Sequence, residues 1–388
     1  MASLSPAPAS LFPGLLGVFS ITAYLTAFLH IESQIGTALL IVGAMALIAL
    51  LVRFNALDHF QRSFAEREKA MNAAIVVAVI MLALVFHQDH FTLLLIATVM
   101  IYMTASLGLT VQFGYAGVLN FAGASFFGIG CYTSAVLTDG TTIPEVLIIV
   151  VGGFMAALVG VILLLPVLRT RGHYSAVITI AFALLFKTFL EVNDVLGGPQ
   201  GLSVGSMSFL GWDLNQGIEI GEVFEASFYL NYVLASLVLL CLAFVFVRRL
   251  DRSWIGLNMD AIRLDETAAA CFGYNITRWK VTAFMIGNAI AGMAGALYAM
   301  MLGFIAPTNF DFGASLILVS IVLFGGIGSP FGVAVATLIV VLLPEKLQIL
   351  QEYRFLIYAT LVILVLLFRP DGLLPRPVRA YFTGRVSP

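Results

Sequence analysis

The chain has 388 residues, 61% hydrophobic and only 10% charged, with a formal net charge of −2. A soluble domain carries about a quarter charged residues, so this composition excludes an ordinary soluble globule, and the near-neutral balance gives no footprint for nucleic acid. The apolar residues come in blocks of roughly 20, the length of a helix that crosses a hydrocarbon core. Segments of about ten alternating residues, the mark of a membrane barrel, do not occur. The expected class is an all-α polytopic membrane protein.

In chain order, the opening MASLSPAPAS has no positively charged region, so no cleaved signal peptide is expected and the first apolar block is read as a retained span. Spans are predicted at 11–30, 36–52, 71–87, 91–111, 115–138, 146–168, 174–191, 228–247, 281–303, 314–328, 331–344 and 355–369. The segments 314–328 and 331–344 are short and separated only by GSP, so they read either as a re-entrant pair or as two crossings. Ten to twelve transmembrane or re-entrant helices follow. Cys131, Cys241 and Cys271 are far apart, lack metal-ligand spacing and read as small apolar residues, so no metal site is expected.

Cytoplasmic loops collect Lys and Arg. Four clusters occur: Arg53, Arg62, Arg67 and Lys69; Arg169 and Arg171; Arg248, Arg249, Arg252, Arg263, Arg278 and Lys280; and Arg369, Arg376, Arg379 and Arg385. With the spans above, all four fall on one side, which puts both termini in the cytoplasm. Between Thr188 and Val247 there is no Lys or Arg but there are Glu191, Asp194, Asp213, Glu219, Glu222 and Glu225. This acidic stretch is expected outside.

Ionisable groups at membrane depth mark proton relays and intramembrane enzymes, and few occur here. Lys187 and Glu191 are spaced for an i,i+4 pair near the outer end of their span. No protease or hydrolase motif lies in a span, so no catalytic residue is assigned. Small residues are dense instead. Gly114, Gly117 and Gly123 fall in one run, Gly292 and Gly295 in a second, Gly325 and Gly326 in a third. Such residues either let helices approach closely or interrupt them along a substrate path. Asn120 and Asn288 carry the same two readings, since a buried amide needs partners.

The most polar stretch of the second half is DAIRLDETAAACFGYNITRWK, 260–280. Leu257, Ala261, Leu264, Ala268 and Phe272 recur at helical spacing, predicting one amphipathic helix of about four turns over 257–273. Asp260, Arg263 and Thr267 share another face beside Asp265 and Glu266, with Arg263 placed to pair with Asp260 or Glu266. Gly273 is placed as the C-terminal cap, and Asn275 or Thr277 as the cap of the next span. Three readings compete, an interfacial anchor, a solvated loop helix and a docking element: an anchor would carry more basic residues and bulkier apolar ones, whereas mixed charge and small alanines suit a helix that docks into a groove.

DETAAACFGYN resembles the coupling-loop motif of the membrane subunits of ABC importers. Glu266 stands seven residues before Gly273, one more than in the widespread form, and Thr267 occupies the usual acidic position. That offset resembles the branched-chain amino acid permease family. The runs FGYAGVLNFAGASFFGIGCYTSAVL (113–137), PVLRTRGHYSAVITIAF (166–182), GGPQGLS (197–203), TRWKVTAFMIGNAIAGMAGALYA (277–299), GFIAPTNFDF (303–312), VLFGGIGSPFGV (322–333) and FRPDGLLP (368–375) are similar to its larger, second permease subunit, in the same order.

The resemblance implies a permease core over 91–376, an N-terminal extension of two or three spans over 1–90 and a cytoplasmic tail over 377–388. It implies a heterodimer with a sister permease in a bacterial inner membrane, in contact with lipid. Two cytoplasmic ATPase subunits and a periplasmic substrate-binding protein complete the assembly. Asp260, Arg263, Asp265, Glu266, Thr267 and Gly273 would then couple to an ATPase, and the acidic outer residues would be candidates for binding-protein docking. The chain has no GxxxxGK[ST] phosphate loop, so ATP and magnesium are expected on the partner subunits. The implied substrates are leucine, isoleucine and valine, with urea, short amides or other amino acids as the alternative. An ion-coupled secondary transporter is the competing class.

Overall fold

The computed structural model describes residues 11–31, 33–53, 68–141, 143–168, 174–209, 211–220, 224–347, 352–368, 372–374 and 376. Arg62, Arg67, Arg169, Arg171, Arg369, Arg379, Arg385 and Glu222 lie outside them.

Helices form where the apolar blocks stand. They are α1 (Leu11–His30), α2 (Gln34–Arg53), α3 (Glu68–Val85), α4 (His90–Thr110), α5 (Gly123–Gly140), α6 (Glu145–Leu168), α7 (Tyr174–Val192), α8 (Tyr229–Asp251), the short α9 (Trp254–Leu264) and α10 (Glu266–Cys271), α11 (Ile276–Leu302), α12 (Phe312–Gly325), α13 (Pro330–Lys346) and α14 (Arg354–Phe368). Among the described residues, six helical stretches are long and apolar enough to cross a membrane: His90–Tyr115, Glu145–Leu168, Tyr174–Val192, Tyr229–Asp251, Ile276–Leu302 and Pro307–Gly325. The chain is an all-α multi-pass membrane protein. Helix starts carry side-chain acceptors for backbone N–H groups that would otherwise be orphaned: Asp89 for α4, Ser253 for α9, Asn275 for α11, Asp311 for α12 and Ser329 for α13.

The axis of the bundle is α11, which packs on α6, α5 and α4. The contacts are too close for side chains. A Cβ at Gly295 would come within 2.8 Å of the Phe127 carbonyl carbon, and one at Gly130 within 2.7 Å of the Gly292 carbonyl carbon. A Cβ at Gly292 would lie 2.5 Å from the Ala156 methyl. In lipid, where apolar side chains gain little by leaving one solvent for another, such backbone approach supplies the packing energy. Helix α4 also packs on α8 and α13, and α12 on α13 and α14.

Helices α12 and α13 form a tight hairpin. Gly326 and Gly328 turn it at φ +118° and +87°, a region only glycine enters cheaply. The extension is tied to the rest at both ends. Lys346 Nζ donates to the Leu29 carbonyl at 2.6 Å, and Gln34 Nε2 to the Lys346 carbonyl at 3.2 Å. At the other end Arg248 and Arg252 both bind the Glu68 carboxylate.

The span predicted at 115–138 is corrected: its first part is not α-helical. Helix α4 runs into a π turn, Val111–Tyr115, the chain is non-helical through 116–122, and α5 begins at Gly123. Gly117 sits at φ +65° in this break. The connection between α7 and α8 is itself structured. It holds two 3₁₀ turns, Asp194–Leu196 and Gly198–Gln200, and short strands β1 (Leu202–Ser203), β2 (Ser208–Phe209), β3 (Trp212–Asp213), β4 (Ile218–Ile220) and β5 (Phe224–Ala226). β2 pairs with β3, β4 with β5, and β1 with β6 (Phe304–Ile305), all antiparallel.

Candidate functional site

The segment between α8 and α11 is two helices, not the single one expected over 257–273. Asp265 stops the first at extended backbone angles and caps the second. Its Oδ1 accepts from Thr267 N at 2.8 Å and Ala268 N at 3.0 Å. A short acidic side chain that competes for backbone donors favours a cap over a helix interior. Helix α10 then ends in a Schellman motif, with Tyr274 N donating to the Ala269 carbonyl and Gly273 N to that of Ala270, Gly273 standing at φ +83°. Asn275 Oδ1 receives Arg278 N at 2.9 Å and starts α11. Polar caps thus close α10 at both ends beside the start of α11.

The predicted apolar stripe faces away from the protein. Leu264 is 74% exposed and Phe272 84%. The buried face is Gly256, Asn258, Met259, Asp260, Ile262 and Ala269. Asp265, Glu266, Thr267 and Gly273 are exposed around the outward residues, as is Cys271, which was expected to be a small buried apolar residue. Glu266 pairs with Lys280 at 2.6 Å rather than with Arg263, which lies 3.9 Å from Asp260.

Asp260 turns inward, and its partner comes from the segment after α14. Leu373 N and Leu374 N donate to the carbonyls of Phe324 and Gly325, the orphan acceptors at the end of α12. That docking carries Arg376 beneath α9, where Nη1 and Nη2 reach the two oxygens of Asp260 at 2.6 and 2.8 Å and Nη2 also binds Asp251 at the end of α8. The guanidinium lies 4.5 Å from the centroid of the Tyr115 ring, in the π turn. Burial lowers the Arg376 pKa, but its hydrogen bond to Asp260 and the charges of Asp251 and Asp260 outweigh this and leave it raised above the ordinary arginine value.

The π turn also carries Gln112, completely buried. Its Nε2 donates to Asn288 Oδ1 at 2.7 Å and to the Phe284 carbonyl at 3.2 Å, while its Oε1 accepts from Asn120 Nδ2 at 2.7 Å. Asn120 Oδ1 in turn receives Ala122 N at 2.9 Å. Three amides from the π turn, the break and α11 therefore form one network, while Asn288 Nδ2 has no acceptor and faces Gly160. Other helices satisfy the break and the first turn of α5: Thr179 Oγ1 accepts from Phe121 N and Ser315 Oγ from Ala124 N, both at 3.1 Å. Replacing Asn288 by Leu removes the Oδ1 that takes one Gln112 Nε2 hydrogen, while Gln112 keeps the Phe284 carbonyl and Asn120 keeps Gln112 Oε1; a buried hydrogen left without an acceptor costs about 2 kcal/mol. A lowered melting temperature of the purified subunit in detergent is the expected readout.

The glycines singled out in the sequence sit at close approaches. Gly114 meets the backbone of Gly328, Gly117 meets Arg263, Gly123 meets Leu109 and Leu318, and Gly325 meets Gly332. Gly326 lies against Gly372 of the tail. Of the acidic outer residues, Glu191 pairs with Lys187 at 3.6 Å and Asp194 opens a 3₁₀ turn. Asp213 accepts from Asn215 N at 2.9 Å in the β3 turn, and the β4–β5 register sets Glu219 opposite Glu225. Gln112 and Arg376 are not among the residues the sequence pointed to. A signal for Gln112 was present, an amide inside an apolar span two residues from Gly114. Arg376 stood out only as one of the tail's positive charges.

The profile of the family described as "Branched-chain amino acid transport system / permease component" matches residues 91–368. The chain is 34% identical to the high-affinity branched-chain amino acid transport system permease protein LivM of Escherichia coli (strain K12), over 77% of this chain and 74% of that protein. It is 25% identical to a probable LivM of Methanocaldococcus jannaschii, over 71% of this chain and 90% of that one. Against LivH of the same Escherichia coli strain it is 24% identical, over 71% and 92%. No solved structure matches. A match across most of the chain, from the start of α4 to the end of α14, shows that this protein belongs to the family of branched-chain amino acid transport system permease components.

Proposed function

We propose that the chain is the larger membrane-spanning permease subunit of an ATP-driven importer of branched-chain amino acids, working in a bacterial inner membrane with both termini in the cytoplasm. It forms half of the translocation path with a sister permease, couples to two ATPase subunits that bind ATP and magnesium, and receives substrate from a periplasmic binding protein. The observation that carries this reading is the outward face of α9–α10. An apolar ridge of Leu264 and Phe272 is ringed by Asp265, Glu266 and Thr267 and stiffened at each end by caps. Such a ridge suits a groove on a soluble partner.

Two lines support the assembly. Escherichia coli (strain K12) has both a LivM and a LivH, two permease proteins named for one transport system, and both match this chain. The stretch between Thr188 and Val247 carries Glu191, Asp194, Asp213, Glu219, Glu222 and Glu225 and no Lys or Arg, a charge balance that suits a basic patch on a binding protein. The core runs from 91 to 376, with 1–90 as an extension and 377–388 as a tail.

The test is reconstitution in liposomes with the sister permease and binding protein, with and without the ATPase subunits, using labelled leucine in competition with urea and acidic amino acids. Uptake that needs ATP and is competed by isoleucine and valine is expected. Uptake driven by an ion gradient without the ATPases would replace the importer reading with a secondary transporter. Competition by urea alone would move the substrate class.

A further inference from the structure

We infer that Arg376 is a positioning residue that transmits movement of the α9–α10 segment to the buried amide network, an inference that rests on the importer reading above. Four parts of the chain converge on this side chain. Asp260 comes from α9, Asp251 from the end of α8, Tyr115 from the π turn, and the Arg376 backbone follows the tail residues that cap α12. Arg263 completes the cluster, 3.9 Å from Asp260 and packed at Gly117, so two cations face two carboxylates.

The route inward is continuous. Tyr115 closes the π turn whose other end holds Gln112, and Gln112 binds Asn120 and Asn288. π turns concentrate at functional sites because one extra residue in the turn lets the helix shift register at small cost. The arginine itself sits beyond the residues the family profile matches.

The chemistry requires arginine. A planar guanidinium binds the Asp260 carboxylate with two parallel hydrogen bonds, reaches Asp251 with the same nitrogen and still offers its face to Tyr115. A lysine keeps the charge but makes neither the fork nor the stack. When a partner pushes α9, Asp260 moves with it. A bidentate, ring-stacked arginine then carries that displacement to Tyr115, whereas a lysine lets the two slide apart.

The experiment uses the whole complex in liposomes and measures leucine uptake and phosphate release together, giving uptake per ATP hydrolysed. Arg376→Lys is expected to assemble with its partners and to lower this ratio by about tenfold, the scale of a lost coupling between sites. Asp260→Asn is expected to lower it similarly, and the double variant by no more than either alone, since the pair acts as a unit. Should the ratio in both single variants stay at the wild-type value, Arg376 is only a structural clamp and the inference falls. It falls equally if Arg376→Lys reduces the amount of assembled complex while each complex transports normally. A wild-type complex without ATP-dependent uptake overturns the importer reading instead, and that arm is read first.

Discussion

Gly295→Leu is expected to prevent the protein from accumulating in the membrane, and Gly295→Ala to cost about 3 kcal/mol, the upper part of the range for forcing an extra methyl into a packed core. The reason is local. The Cβ would lie 2.8 Å from the Phe127 carbonyl carbon and 3.2 Å from its Cα, backbone atoms that cannot rotate away. Relief requires α5 and α11 to separate, and α11 is also the helix on which α6 and α4 pack. One methyl therefore disturbs several helix contacts together. Gly43→Ala in α2 is the matched control, because a Cβ there meets nothing within 4 Å. Alanine in an open helix position gains by propensity, so its melting temperature should be unchanged or slightly raised. Expression level and detergent melting of the two variants, measured side by side, check the pair. Equal behaviour would refute backbone contact as the basis of the α5–α11 seam.

The second large effect is expected at the outward ridge. Phe272→Asp should leave insertion and melting unchanged, since the ring is 84% exposed. ATP-driven uptake should fall by a factor of roughly 100. A buried aromatic anchor at an interface is worth about 2 kcal/mol or more, and an introduced charge adds a desolvation penalty. Leu264→Asp should act in the same direction, and Glu266→Lys less strongly because Glu266 also pairs with Lys280. Pull-down of the ATPase subunits by each variant measures the interaction directly. Full binding by the Phe272→Asp protein would remove the ridge from the docking surface.

Much of this architecture could be read from the chain. Apolar blocks near the membrane length became helices because in lipid a segment must satisfy its own backbone, which leaves few alternatives. The caps Asn275 and Gly273 were legible for the same local reason. The polarity of α9 was not. Spacing identified the apolar stripe but could not say whether it faced the protein or a partner, and the answer came from Asp260, which is drawn inward by Arg376. That pair joins residues 116 positions apart, a separation no periodicity reports. The break at Asp265 and the π turn were also hidden. Asp265 sits inside a continuous helical pattern, yet its side-chain hydrogen bonds decide the break; 112–114 fell between two predicted spans, and nothing in their spacing showed that α4 continues through them as a π turn. Asn120 and Asn288 drew notice separately, but their shared partner Gln112 became apparent only with the helices in place.

The non-helical stretch 116–122 has a consequence for synthesis. One of its amides, and one in the first turn of α5, are completed by residues that emerge later: Phe121 N waits for Thr179, 58 residues on, and Ala124 N for Ser315, 191 residues on. At about 5–20 residues per second, the second wait lasts roughly 10–40 s. During that interval α4 and α5 are already made while Ala124 N, where α5 leaves the break, lacks its final acceptor. Bare amides are too costly to leave in hydrocarbon, so this segment must be sheltered by water, by the insertion machinery or by a provisional helix until α12 arrives. The joint that gives the finished bundle its interrupted helix is thus one of the last parts of its interior to be completed.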